Sequence, residues 1–182
     1  MRAFVAIELP EDVTFALSQL SLSLPVGRVM AEENLHLTLV FLGDQSEAQL
    51  QELHHELAAI PAPQFELGFD GLGCFGAAAP KILYARIAES QALSDLHQQL
   101  RRAAHRVGIV LARQRYNPHV TLARFGRGLS WRETERLEGF IATHSQVDLP
   151  GFSVAGFSLF QSKLHRDGAI HEQMASYGFK FQ

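Results

Sequence analysis

Asn34-Leu35-His36-Leu37-Thr38-Leu39-Val40-Phe41-Leu42-Gly43 contains a four-residue word, His36-Leu37-Thr38-Leu39, that returns once. The second copy is His119-Val120-Thr121-Leu122, inside Pro118-His119-Val120-Thr121-Leu122-Ala123-Arg124. With 9 His, 5 Thr and 25 Leu in 182 residues, chance supplies His-x-Thr-Leu about 0.03 times. Both copies lie in short apolar runs, Leu35 to Leu42 and Val120 to Phe125 with Arg124 interrupting, which read as buried strands rather than helices. In a strand, residues i and i+2 share a face. His36 therefore projects beside Thr38, and His119 beside Thr121. Leu35, Leu37 and Leu39, or Pro118, Val120 and Leu122, take the other face and pack a core.

Working outward, the chain reads as an imperfect duplication. A strand from Ala3 to Leu9 precedes a helix opened by Pro10-Glu11-Asp12, with Val13, Leu17, Leu20 and Leu24 on one stripe. The His36 strand follows. Ser46-Glu47-Ala48-Gln49 is a capping box for a second helix, and a strand from Phe65 to Phe75 closes the unit. The second half repeats the order. Lys81 to Ala88 is a strand, Ser90 caps a helix lined by Leu93, Leu96 and Leu100, and the His119 strand follows. Ser130-Trp131-Arg132-Glu133 caps another helix, and a strand runs from Phe152 to Gln161. Gly71, Gly73, Gly76 and Pro80 mark the seam, and Asp167-Gly168 signals a late hairpin. The expected fold is α+β: duplicated βαβαβ units related by a pseudo-two-fold axis, bilobal, with largely antiparallel sheets around a central cleft. The halves, about 1–78 and 79–182, form lobes of one domain spanning 1–182. The axis would bring the two His-Thr pairs together.

The 47% hydrophobic content suits a compact core, and a net charge of −3 disfavours a long duplex such as DNA as partner. The lone Cys74 excludes an internal disulfide. The apolar run at the N-terminus is too short for a signal peptide, and nothing approaches a transmembrane span of roughly 20 apolar residues. The expectation is a cytoplasmic monomer with no membrane partner.

Imidazole accepts or donates a proton near neutral pH. Two His about one reacting centre make an acid–base pair, and two Thr hydroxyls can hydrogen-bond phosphate oxygens. Such a site can cleave a cyclic phosphodiester without metal: one His deprotonates water, and the other protonates the departing ribose oxygen. Thr is a poor zinc ligand, and the motifs hold no Cys or carboxylate, so neither metal nor cofactor is expected.

The two motif stretches resemble the signatures of the two-histidine phosphoesterases. Within them the chain is most similar to the RNA 2′,3′-cyclic phosphodiesterases, also called the 2′-5′ RNA ligase family. The resemblance extends from the opening strand to Leu159-Phe160-Gln161-Ser162-Lys163-Leu164. It implies the bilobal two-histidine fold and hydrolysis of RNA or nucleoside 2′,3′-cyclic phosphates to 2′-phosphomonoesters, with 2′-5′ ligation as the reverse. It makes His36 the proton donor and His119 the proton acceptor, with Thr38 and Thr121 as phosphate ligands. RNA ends or nucleotides bearing a cyclic phosphate are the implied partners.

A lone strand His is more often a satisfied core group, a reading the repetition reverses for His36 and His119. His54 and His55 read as solvent-facing. His97 and His105 share a helix at an interval unsuited to a metal pair, and His144, His165 and His171 read as loop or turn residues. Arg113, Arg115, Arg124 and Arg127 gather around the second motif, either as solvated surface or to attract a phosphate. Arg115 has the parity of His119. Arg124 has the opposite parity and reaches the cleft only if the strand ends or bulges first. Phe41 is a candidate base-stacking platform, but its parity opposes that of His36, so core packing competes. Tyr116 is a further candidate contact. Two rival readings remain: a nucleotide or RNA-end binding module without significant turnover, and a metal-dependent hydrolase.

Overall fold

The computed structural model describes residues 1–76, 79–113, 115–126, 128–165 and 168–179. Two runs of similar elements build it. The first comprises strand β1 (Arg2–Glu8), helix α1 (Glu11–Leu22), the short strand β2 (Arg28–Val29), a 3-10 turn at Glu32–Asn34, β3 (His36–Asp44), α2 (Glu47–Ala58), β4 (Phe65–Leu67) and β5 (Phe69–Phe75). The second comprises β6 (Ile82–Ile87), α3 (Gln91–Arg106), β7 (His119–Arg124), α4 (Trp131–Thr143), β8 (Phe152–Val154), β9 (Gly156–His165) and β10 (Gly168–Gly178).

The helices start where capping chemistry places them. Ser46 with Gln49 and Ser130 with Glu133 close capping boxes, and the Ser90 hydroxyl accepts the Leu93 N–H. The two expected closing strands are each broken, at Gly68 and Ala155. Their first pieces, β4 and β8, pair with each other as a separate antiparallel ribbon. β9 and β10 form the late hairpin; Asp167 of its turn signal lies outside the described residues.

Among the described residues, eight strands form one sheet in the order β10-β9-β1-β3-β7-β6-β5, with β2 paired to β7. Leaving out β10 at one edge, the order is symmetric about the β3–β7 pair. β3 and β7 meet there through Leu37 opposite Val120. β9, late in the second run, lies against β1, which opens the first; β5, which ends the first run, lies against β6, which opens the second. Each run thus lends a late strand to the other, β9 to the first and β5 to the second, and the chain halves interlock.

One face of the sheet carries the core. Leu37, Leu39, Val120 and Leu122 pack there with Leu17 of α1, Leu53 of α2, Leu96 of α3 and Leu137 of α4, all buried. Among the described residues, a small separate cluster, Phe4, Ala6 and Phe160, packs apart from this core on the other face. The polar residues of both motifs share this second face.

Candidate active site

Both motif strands begin at the His of their word, and both alternate as the sequence requires. Leu37 and Leu39 are buried while His36 and Thr38 are half-buried; Val120 and Leu122 are buried while His119 and Thr121 are half-buried. The strands run antiparallel, so extending the Leu37–Val120 register sets His36 across from Thr121 and Thr38 across from His119. The two His then stand on a diagonal, whose Cα separation in such a ladder is roughly 7–8 Å. Their electrostatic influence on each other is felt at His36.

A matching backbone device orients both rings. Nδ1 of His36 lies 2.8 Å from the Asn34 carbonyl, and Nδ1 of His119 lies 2.7 Å from the Asn117 carbonyl. A carbonyl oxygen only accepts, so each Nδ1 must carry the hydrogen. In the neutral ring Nε2 is then left unprotonated and free to take a proton. The repeated word is therefore longer than its His-Thr core: Asn precedes each His by two positions, and its carbonyl performs the same task twice.

Each strand also bulges at the same place. Leu39 has no residue opposite it between the Val5–Val40 and Ala6–Thr38 pairs. Leu122 has none between Leu83–Ala123 and Tyr84–Thr121. One extra residue shifts the pleat by one. Leu39 and Val40 both turn into the core, as do Leu122 and Ala123. Phe41 and Arg124 return to the face of the Thr. Simple alternation had set Phe41 opposite to His36, with core packing as the competing outcome; Phe41 is instead 65% exposed and has its ring 6.2 Å from Phe4. The bulge that Arg124 needed is present, and its charge acts on His36, His119 and His171.

The surroundings of the two rings differ. His36 is stacked on Phe4 at 5.0 Å and met edge-on by His171 at 5.2 Å. Burial, and next the charge of His171, push its pKa down to about 4, against the Asn34 bond that raises it. His119 is flanked by Phe75 at 4.9 Å and Tyr84 at 5.1 Å. Burial and Arg124 lower its pKa, against the Asn117 bond. Gly73 makes room for Tyr84: a Cβ there would lie 2.6 Å from the ring. On the His36 side a cavity of about 540 Å³ opens between Phe4, Phe160, His171 and the carboxylates of Glu8, Glu32 and Glu33.

The remaining candidates fall elsewhere. Tyr116 stacks on His97 at 3.9 Å and its hydroxyl donates to the Thr38 carbonyl at 3.3 Å, so it braces β3 from α3. Arg113 and Arg115 are exposed, and Arg127 lies outside the described residues. His54 and His55 are exposed, although His54 bonds the Tyr177 hydroxyl. His171 is a strand residue of β10, not a loop residue, and His165 ends β9. A contact between residues 135 positions apart, His36 and His171, depends on the register of β10 on β9 and of β9 on β1, which local sequence does not carry. Among the described residues, no three His, Cys, Asp or Glu group as a metal cage, and no helix is long and apolar enough to cross a membrane.

Residues 26–159 match the family model of the 2′-5′ RNA ligase superfamily. This chain belongs to that superfamily. Its relatives in the superfamily include an RNA 2′,3′-cyclic phosphodiesterase of Geobacillus stearothermophilus, 32% identical over 81% of this chain and 49% of the relative. The chain thus spans about half the length of that protein. A protein of the same name from Thermus thermophilus is 30% identical over 99% of this chain and 91% of the relative. The fold is that of Escherichia coli LigT, whose apo crystal structure superimposes with a TM-score of 0.77 at 24% identity, over 100% of this chain and 98% of LigT.

Proposed function

We propose that this protein opens the 2′,3′-cyclic phosphate at an RNA end, or on a nucleoside, to a 2′-phosphomonoester. The superfamily relatives that carry this activity in their names support the reaction class. The observation that carries the reading in this chain is the mirrored pair of rings, each with Nδ1 pinned to an asparagine carbonyl and Nε2 left to work. A binding module has no need of two such nitrogens.

His119 accepts a proton from water as its oxygen attacks phosphorus. The bond from phosphorus to the 3′ oxygen breaks, and His36 gives that oxygen a proton. Thr38 and Thr121 donate to the non-bridging oxygens. Arg124 adds a positive charge on the same face, and Phe41 offers its exposed ring to the base. The free site favours neutral rings, which suits His119 as base and leaves His36 to be charged by the phosphate it meets, because a nearby anion favours imidazolium. Ligation follows the same path with an RNA 5′ hydroxyl in place of water: its oxygen bonds phosphorus as His119 takes its proton, the bond to the 3′ oxygen breaks, and His36 protonates that oxygen, leaving a 2′-5′ phosphodiester.

The test is product analysis after incubation with each nucleoside 2′,3′-cyclic phosphate and with a short RNA ending in one, all in the presence of a chelator. The expected product is the 2′-monophosphate. Tight binding with no product would leave the binding-module reading; activity lost to chelator and restored by a divalent ion would leave the metal-dependent one.

A further inference from the structure

His171 has no part in the reaction written above, yet it stands against the acid. Its ring meets His36 at 5.2 Å and 87°, and both rings rest on Phe4. The two imidazoles differ in what their Nδ1 atoms touch. That of His36 has the Asn34 carbonyl. That of His171 is closed off from solvent and without a hydrogen-bond partner. Arg124 adds a positive charge from β7. The carboxylates of this corner are partly engaged. Glu8 on β1 accepts from Ser158 and Gln173, and Glu32 accepts from Thr14 and Ser18. Glu11 and Glu33 line the cavity, and Lys163 is paired with Glu172 across β9 and β10. His36, His171 and Arg124 cannot all be charged at this spacing without mutual repulsion.

We infer that His171 is a positioning residue acting through His36: it seals the flank of that ring and opposes its charge, so that His36 takes up a proton only when an anion enters the site. The inference rests on the reading of His36 as the acid. Its value to the enzyme is a coupling of arming to occupancy. An empty site holds no charged acid, and the phosphate of the substrate supplies the charge that stabilises one. The depressed proton affinity of His36, caused by burial first and His171 next, is the resting condition this requires.

The titration midpoint of His36 can be followed by imidazole NMR with and without inorganic phosphate, its signal identified by loss in His36→Asn. Wild type should titrate low when free and rise by about one pH unit or more with phosphate. His171→Phe keeps a ring on the flank and removes the second protonatable group; the free midpoint should rise. His171→Ala also lets water reach His36, and the midpoint should rise further. In both variants the increment from phosphate should shrink, and the acid limb of kcat/KM should move up in the same order. A midpoint unchanged in both folded variants overturns the inference, as does a uniform loss of kcat with an unmoved acid limb. The NMR readout needs no turnover: shifted midpoints without cyclic phosphate opening would reject the proposed activity and leave this coupling standing.

Discussion

The corners around His36 and His119 share a backbone and differ in their linings. Each has the Asn carbonyl two residues before the His, the Thr two residues after it, and a bulge that turns the fifth following residue back to the same face. At that fifth position one strand carries Phe41 and the other Arg124. Beside the rings, Phe4 and His171 stand on one side, Phe75 and Tyr84 on the other. The backbone gives the two rings equivalent placements, and the side chains around them make the corners unequal. In the proposed mechanism one ring gives a proton while the other takes one, and the unequal linings are what would set them apart.

The most severe way to break the comparison is to remove the rings themselves. His36→Ala and His119→Ala should each lower kcat by about 10²–10⁴-fold while the protein stays folded. The pH profiles should then part company. Loss of the acid should remove the dependence on a protonated group, and loss of the base the dependence on a neutral one. Thr38→Ala and Thr121→Ala should cost less, since the proton path remains. Equal damage from His54→Ala, on the opposite side of the fold from the motifs' shared face, would dissolve the pairing of the two corners.

A smaller effect separates the unequal fifth positions. Arg124→Ala should lower kcat/KM by about 10- to 100-fold for every cyclic phosphate, because a charged hydrogen bond of about 1.5–3 kcal/mol is lost whatever the base. Phe41→Ala should raise KM roughly tenfold with little change in kcat, and more for purines, whose stacking area is larger. Steady-state kinetics on the four nucleoside cyclic phosphates would decide. Base-independent effects from Phe41→Ala would remove its role as a platform.

The smallest expected effect is on stability. His36 is held near a pKa of about 4 by burial and His171, and His97 near about 4 by burial and Arg101. In the unfolded chain both return to about 6.5. Unfolding therefore takes up protons between these limits. Stability contributed above pH 6.5 is lost as pH falls toward 4, with no further loss from these groups below it. Denaturant midpoints measured across this range should slope for wild type, and the slope should lessen by about one proton in His36→Asn. An unchanged slope would mean that His36 does not resist protonation in the folded state.

Much of the site was legible because strand alternation is local. The words themselves set His36 with Thr38 and His119 with Thr121, and Ser46, Ser90 and Ser130 announced three helices. The bulges were not legible: nothing in Leu39-Val40 or Leu122-Ala123 says that both residues turn inward, since an apolar pair fits either pleat. By sequence alone Arg124 reaches the cleft only through a bulge, and Phe41 fits cleft and core equally well. For a different reason, His171 reads as a loop or turn residue in sequence but lies in β10. Its importance comes from two successive strand registers, each decided by packing far from its own sequence. Tyr116 stands out in the sequence beside the second motif, but its partner His97 on α3, which makes it a brace, does not.

The exchange of closing strands has a consequence for how the chain comes to be folded. A ribosome delivers β1 and β3 early, but β1 meets its second neighbour only when β9 arrives; Glu8 waits for Ser158, 150 positions later. Until then β1 keeps an open edge, able to pair with whatever strand it meets. Contacts so distant in sequence must bear their loop-closure entropy before they return any stability, which slows folding and lengthens the exposure. The same interlock that ties the two halves into one sheet makes this protein a late finisher, complete only after its second half has been synthesised.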